Sequence, residues 1–122
     1  MKKLIFIGTI GLLAFAFVPS CSKDNVVDYI DVQNCQDTVS FSQQIAPMML
    51  NNCATSGCHD AITAESGYDL TTHASVSANS AIILSAIRHD AGTVAMPDGA
   101  DKLPDSLIQQ FSCWIYQGKM NN

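Results

Sequence analysis

The 122-residue chain predicts one all-α domain, with three to four helices and long loops, over about residues 35–120. Apolar residues recur with helical spacing in three segments, and no segment keeps the alternation typical of a strand. Runs rich in Gly, Pro and Asp separate the helical segments. A domain of this size buries a modest core unless a disulfide or a cofactor supplements it.

The last helix has the clearest pattern. Its apolar residues recur at i, i+1, i+4, i+7 and i+8, which is one face of an α-helix: Leu107, Ile108, Phe111, Trp114 and Ile115. Pro104 stands where this helix should begin and Gly118 where it should end, as is usual at helix termini. The segment therefore predicts an amphipathic helix with one face on the core.

Two further helices are predicted upstream. The first covers about residues 42–52, with Ser42 as its N-cap. The second covers about residues 78–88, where four apolar residues form a stripe: Ile82, Ile83, Ala86 and Ile87. Residues 60–74 are predicted to be irregular, with a turn at Gly67, and residues 92–102, which hold two Gly, one Pro and two Asp, are predicted to be a loop.

The first 20 residues have the pattern of a targeting segment. Two lysines precede an apolar run over residues 4–18 that is shorter than a membrane-spanning helix. Because Cys21 ends this run, we expect a lipoprotein signal peptide over 1–20 and lipidation of Cys21; ordinary secretion and an uncleaved anchor are the alternatives. Residues 21–34 would then be a flexible tether. The expected location is the cell envelope, on the periplasmic side of a bacterial membrane or on the cell surface.

The charge of the chain is acidic. The formal charge is −5, and it becomes −7 when Lys2 and Lys3 are removed with the signal peptide. An acidic surface disfavours binding to nucleic acid, and it suits transient contact with a basic patch on a partner protein.

Two cysteines and a histidine stand together in the segment CATSGCH, residues 53–59. Two cysteines followed directly by histidine are typical of covalent haem attachment, with His59 as the proximal iron ligand. The usual spacing has two residues between the cysteines, whereas this chain has four. Cys58 and His59 nevertheless remain adjacent, and Gly57 allows a tight backbone. We therefore expect thioether links at Cys53 and Cys58.

Two other interpretations of this segment remain open. A disulfide between Cys53 and Cys58 explains the cysteines but leaves His59 without a role. A zinc site could use all three side chains but needs a fourth ligand. Cysteine metal sites are also uncommon outside the cell, where thiols oxidise.

Met96 is the candidate for the distal ligand. It lies in a polar loop, and Pro97 restricts it to an extended conformation that helps to hold a sulfur in place. A thioether opposite a histidine is typical of electron-transfer haems. The alternatives are His89, at the end of the second helix, His73, expected in a surface loop, and an open distal position.

The five cysteines of this exported chain can all be assigned. Cys21 is assigned to lipid, and Cys53 and Cys58 to haem. Cys35 and Cys113 then remain, and they can form a disulfide in an oxidising compartment. The alternative is that Cys113 is a small buried apolar residue of the last helix.

The chain resembles small cytochrome c lipoproteins of Bacteroidetes-type bacteria over about residues 35–120. Five segments carry the resemblance: FSQQIAP at 41–47, CATSGCHD at 53–60, MPDG at 96–99, LPD at 103–105 and WIYQG at 114–118. The resemblance implies the class I cytochrome c fold, in which the first and last helices cross around one covalent haem. It also implies His59 as proximal ligand, Met96 as distal ligand, and thioethers at Cys53 and Cys58.

The expected function is that of a mono-haem c-type cytochrome, an electron carrier rather than an enzyme. Its partners would be redox proteins of the envelope respiratory chain, met transiently, and its membrane contact would be the lipid on Cys21. The sequence shows no carboxylate pair, nucleophile with a neighbouring base, or phosphate-binding loop near residues 53–59. The alternatives are a peroxidase with an open distal site, and a haem-free, disulfide-bonded surface lipoprotein that acts as an interaction module.

Overall fold

The structure, a computed structural model, describes residues 35–122. The predicted signal peptide, Cys21 and the tether lie outside the described residues. Within the described range the chain contains helices and loops and no strand, which confirms the all-α prediction. The helices are α1 at Ala46–Asn52, α2 at His73–Ala78, α3 at Ser80–Arg88 and α4 at Asp105–Tyr116. None of the helices in this range has the length and apolar character needed to cross a bilayer.

The first helical segment begins earlier than predicted. A π-helical turn, Phe41–Ile45, leads directly into α1. Its N-cap is Ser40 rather than Ser42: the Ser40 hydroxyl accepts the Gln43 N–H at 3.3 Å. In return, the Ser40 N–H donates to the side chain of Gln44 at 2.7 Å. This reciprocal capping gives the N–H groups of Ser40 and Gln43 a side-chain acceptor each, which explains why the helix starts at this serine.

The segment expected to be irregular ends in a helix. Thr72 caps α2, because its hydroxyl accepts the Ser75 N–H at 3.3 Å. The prediction of an irregular segment through residue 74 is therefore wrong at its last residues. Asn79, which stands between α2 and α3, separates two helices where the sequence predicted one.

The apolar stripe predicted for residues 78–88 lies on α3 and differs from the observed buried face at one position. Ile82 is 44% exposed, whereas Leu84 is 1% exposed. Ile83 and Ile87 are buried as expected. The core face of α3 therefore includes Leu84 in place of Ile82.

Aromatic residues of α4 form the centre of the core. Trp114 and Phe111 are fully buried and stack with ring centroids 5.6 Å apart. Phe41 lies 5.7 Å from Trp114, so the first helical segment packs against the last. The ring of His73 meets Phe41 edge to face at 4.8 Å. His73 is thus a half-buried packing residue, and its expected place in a surface loop is wrong.

A disulfide ties the start of the described chain to α4. Cys35 is bonded to Cys113, which confirms the predicted pair. Next to it, the Gln117 side chain accepts the Val39 N–H at 2.8 Å and donates to the Asp37 carbonyl at 2.7 Å. These links hold the segment that precedes α1 on the helix that carries the aromatic core.

Replacing both cysteines of the disulfide, as Cys35→Ser with Cys113→Ser, should destabilise the fold. The link joins residues 78 positions apart, so its removal should lower the free energy of unfolding by about 4 kcal/mol through the larger entropy of the unfolded chain. Reversible denaturant unfolding followed by circular dichroism measures this. A reducing agent should destabilise the wild-type protein similarly and leave the variant unchanged; a loss below about 1 kcal/mol would contradict the proposed role.

Candidate functional site

The candidate site begins at the C-terminal end of α1. The Cys53 N–H donates to the Met49 carbonyl at 2.8 Å, and the Ala54 N–H donates to the same oxygen at 2.7 Å. Met49 is fully buried, so this helix end is anchored in the core. The first cysteine of the motif is therefore held by a packed helix rather than by a free loop.

Backbone hydrogen bonds close the loop between the cysteines. The His59 N–H donates to the Cys53 carbonyl at 3.2 Å, which brings the histidine back to the first cysteine. The Cys58 N–H donates to Thr55 at 3.0 Å. Gly57 has a φ of +85°, a conformation in which a side chain would be strained. The four residues between the cysteines therefore form a compact turn.

The outer side of the loop is fixed by the segment that follows it. The Glu65 N–H donates to the Cys58 carbonyl and the Leu70 N–H to the His59 carbonyl, each at 2.9 Å. Leu70 is 4% exposed and belongs to the core. The backbone N–H and C=O groups of both Cys58 and His59 are thus engaged, so the loop has a defined shape.

Asp60 makes a contact that the sequence pattern does not predict. Its carboxylate accepts the N–H groups of Thr63, Ile62 and Gly57 at 3.0, 2.8 and 2.8 Å. The hydrogen bonds from Thr63 and Ile62, with a smaller contribution from Gly57, lower the pKa of Asp60 to about 2. The available signal was an aspartate three residues after a glycine, a spacing that allows a side chain to reach back to a turn.

The two cysteines of the loop are free thiols in different environments. Cys53 is buried and Cys58 is exposed. Burial, with a smaller contribution from the neighbouring Cys58, raises the pKa of Cys53 to about 11. The structure therefore does not contain the alternative disulfide between Cys53 and Cys58.

His59 has one ring nitrogen committed to the backbone. Its Nδ1 lies 3.2 Å from the Tyr68 carbonyl oxygen, which can only accept. Nδ1 must therefore carry the hydrogen, and in the neutral ring Nε2 keeps its lone pair. Among the described residues, Nε2 makes no hydrogen bond. A backbone carbonyl that orients one nitrogen and leaves the other to bind is the usual support of a metal-ligating histidine.

The other two histidines use Nε2 for structural contacts. His73 Nε2 lies 2.8 Å from the Lys119 carbonyl, and the His73 ring packs against Trp114. His89 Nε2 lies 3.1 Å from the Met96 carbonyl. Each ring donates to an oxygen through the nitrogen farther from its own backbone, so His59 differs from both.

Met96 is held at the end of α3. Its N–H donates to the Ala86 carbonyl at 3.0 Å, and its carbonyl accepts from His89. Its side chain is half-buried. These contacts fix the backbone of Met96 relative to α3, whereas the hydrogen bonds of the 53–59 loop fix that loop relative to α1 and Leu70. The two predicted ligands are therefore positioned by separate elements.

The described side chains do not gather into a metal-binding group. The prediction of a haem, iron or metal-binding group made by side chains alone is therefore wrong. Within residues 35–122, no group of three or more His, Cys, Asp and Glu side chains is gathered so that it could hold a metal ion. The side chains of the loop do not converge on one point: His59 Nδ1 and the Asp60 carboxylate bind backbone groups, and one thiol is buried while the other is exposed. The zinc interpretation is corrected on the same ground, and the disulfide Cys35–Cys113 is the cysteine link that is present.

Comparisons with protein families, with curated proteins and with solved structures find no match to this chain.

The two free thiols should react with alkylating agents at very different rates. In full-length protein made without haem attachment, iodoacetamide at pH 8 should modify Cys58 first. A pKa of about 11 leaves only about one Cys53 thiol in a thousand as thiolate at that pH. Because the thiolate fraction grows with pH, the rate at Cys53 should rise about tenfold per unit until about pH 11.

Peptide mass spectrometry after timed quenching separates the two sites. Cys35 and Cys113 should stay unmodified as the internal control, because they are joined to each other. In concentrated urea both loop thiols should react at similar rates. Equal rates in the folded protein would show that Cys53 is not shielded as described.

Proposed function

We propose that this chain is a mono-haem c-type cytochrome that transfers single electrons at the cell envelope. The observation that carries the proposal is the state of the 53–59 loop. Two free thiols flank a closed turn, and the histidine directly after the second thiol has Nδ1 bound to a carbonyl and Nε2 without a partner. Covalent haem attachment uses this donor set.

The donor set fits a haem better than a metal ion bound by side chains alone. A porphyrin brings four nitrogen ligands of its own, so the chain needs to supply only one or two more. The lack of a cluster of three ligating side chains within the described residues is therefore compatible with this cofactor. When bound, the haem supplies an iron that changes between Fe(II) and Fe(III), which is the one-electron chemistry of the proposal.

The residues of the loop would hold and orient the cofactor. Cys53 and Cys58 would provide the two thioether sites, one at the anchored end of α1 and one on the exposed side of the turn. His59 would be the proximal ligand through Nε2, with its ring kept in place by the Tyr68 carbonyl. Buried apolar residues near the loop, such as Met49 and Leu70, would exclude water from this side.

Met96 would be the distal ligand. The two hydrogen bonds of its backbone, to Ala86 and from His89, would fix the point from which the sulfur-bearing side chain extends. A small structural change between oxidation states favours rapid electron transfer. His89 donates a hydrogen bond to the Met96 carbonyl. This contact would make His89 a support for Met96 instead of an alternative iron ligand.

The proposal includes a fold and a location. The class I cytochrome c fold is supported by the packing of Phe41 on Trp114, which joins the first and last helical segments. Lipid attachment at Cys21 would place the domain on the periplasmic side of a membrane or on the cell surface. Its acidic charge suits transient, salt-sensitive contact with basic redox partners of the respiratory chain.

The second candidate is a haem-free surface lipoprotein that binds another protein. The disulfide favours it, because Cys35–Cys113 stabilises the fold without any cofactor. Exposed apolar side chains, Ile62 at 96% and Val94 at 69%, could contribute to such contacts. This candidate predicts a colourless protein even when the chain is exported with the haem-attachment machinery.

Met96→Ala should change the absorption spectrum of the exported protein without releasing the haem. The wild-type protein should show the spectrum of a low-spin haem, with the weak band that arises from sulfur ligation. The variant should lose that band and keep a covalently attached haem, because the two thioether sites are elsewhere in the chain. It should also gain peroxide reactivity if the distal position becomes open.

Met120→Ala is the matched control. Met120 is 39% exposed, and its contact with Trp114 uses its backbone carbonyl, so the substitution should leave the spectrum unchanged. A sulfur band that persists in Met96→Ala would contradict the assignment of the distal ligand. A colourless wild-type protein would contradict the cytochrome itself and favour the second candidate.

A further inference from the structure

Asp60 connects the two sides of the Cys58–His59 pair. Its Oδ2 accepts the Gly57 N–H at 2.8 Å, directly before Cys58. Its Oδ1 accepts the N–H groups of Ile62 and Thr63 at 2.8 and 3.0 Å, beyond the histidine. One side chain therefore sets the distance between the backbone before the second cysteine and the backbone after the ligand.

The two oxygens of the Asp60 carboxylate accept three backbone N–H groups. Hydrogen bonds to a carboxylate are shorter and stronger than those between neutral groups. The contact is therefore an effective clamp on the outer half of the loop.

The first cysteine does not depend on this clamp. Cys53 is held by the C-terminal turn of α1, through the bond from its N–H to the Met49 carbonyl. Among the described residues, the hydrogen bonds of the Asp60 side chain all lie within residues 57–63. A change at Asp60 should therefore move Cys58 and leave Cys53 in place.

We propose that Asp60 is a positioning residue that presents the Cys58 thiol for haem attachment and compensates for the two additional residues between the cysteines. The inference rests on the proposed function, and it adds a role for a residue outside the Cys-His motif. By drawing Gly57 towards Ile62 and Thr63, the carboxylate tightens a turn that is longer than the usual one.

The step that Asp60 assists is an addition. The Cys58 S–H adds across a vinyl C=C bond of haem: a C–S bond forms at one vinyl carbon, the thiol hydrogen goes to the other carbon, and the π bond is lost. The addition is redox-neutral and needs a reduced thiol, which is the state of Cys58 in the structure. Presentation of the sulfur is thus the contribution that the loop can make.

Asp69 provides a matched control. It is a nearby carboxylate whose hydrogen bonds go to the N–H and hydroxyl of Thr71, at 2.9 and 2.6 Å. These bonds also lower the pKa of Asp69, so it carries the same charge as Asp60. Asp69→Asn removes one negative charge, and the hydrogen bonds that it alters go to Thr71 rather than to residues 57–63.

The test uses the full chain, exported in a bacterium that has the haem-attachment machinery. Wild type, Asp60→Ala, Asp60→Asn and Asp69→Asn are compared for the fraction of haem bound through two thioethers and through one. Peptide mass spectrometry identifies the cysteine used, and the spectrum of the pyridine complex distinguishes one link from two. Asp60→Asn keeps the size of the side chain and one oxygen acceptor, so it decides the question if Asp60→Ala does not fold.

Asp60→Ala should lower the ratio of doubly to singly linked haem by about two- to tenfold, the effect of losing about one net hydrogen bond. The singly linked product should be attached at Cys53. Asp60→Asn should fall between Asp60→Ala and wild type, because its amide nitrogen cannot accept from Gly57, and Asp69→Asn should match wild type.

Equal ratios in all four proteins, equal loss of both links, or the same loss in Asp69→Asn would overturn the role of Asp60. A wild-type protein without haem is a different result, since it refutes the proposed function on which the inference rests.

Discussion

The hydrogen bond from the His59 N–H to the Cys53 carbonyl is the contact on which the site depends. It closes a turn of four residues between two cysteines and brings the histidine back to the anchored end of α1. Because the backbone groups of Cys58 and His59 are also engaged, the loop is shaped before any cofactor arrives. That prior order reduces the conformational entropy that ligand binding would otherwise have to overcome.

The core and the disulfide hold the elements from which this loop extends. Beneath it, Met49 and Leu70 belong to the core whose centre is Trp114. The disulfide fixes the segment before α1 to α4, the helix that carries Trp114. A small domain has little apolar surface to bury, so covalent links contribute a large share of its stability. The thioether links proposed here would add two more such constraints, at the loop that the disulfide does not reach.

Much of the fold could be predicted from the sequence, and the failures have physical causes. The pattern around Trp114 identified α4 because five apolar residues share one helix face. The six-residue helix α2 is too short to show periodicity, so it was not predicted. The sequence pattern does not distinguish Ser40 from Ser42 as the N-cap of the first helical segment. The hydrogen bond between the Ser40 N–H and the Gln44 side chain selects Ser40. The clamp made by Asp60 depends on backbone directions in a turn, which residue spacing does not determine.

The most direct test of the account is the intact mass of the full chain under denaturing conditions, after export with the haem-attachment machinery. We predict an added mass equal to one haem that survives denaturation, both in the wild-type protein and in the Cys35→Ser, Cys113→Ser variant. It should be absent when Cys53 and Cys58 are both replaced by serine. A wild-type protein that carries no added haem, with these two thiols free or joined to each other, would contradict the account.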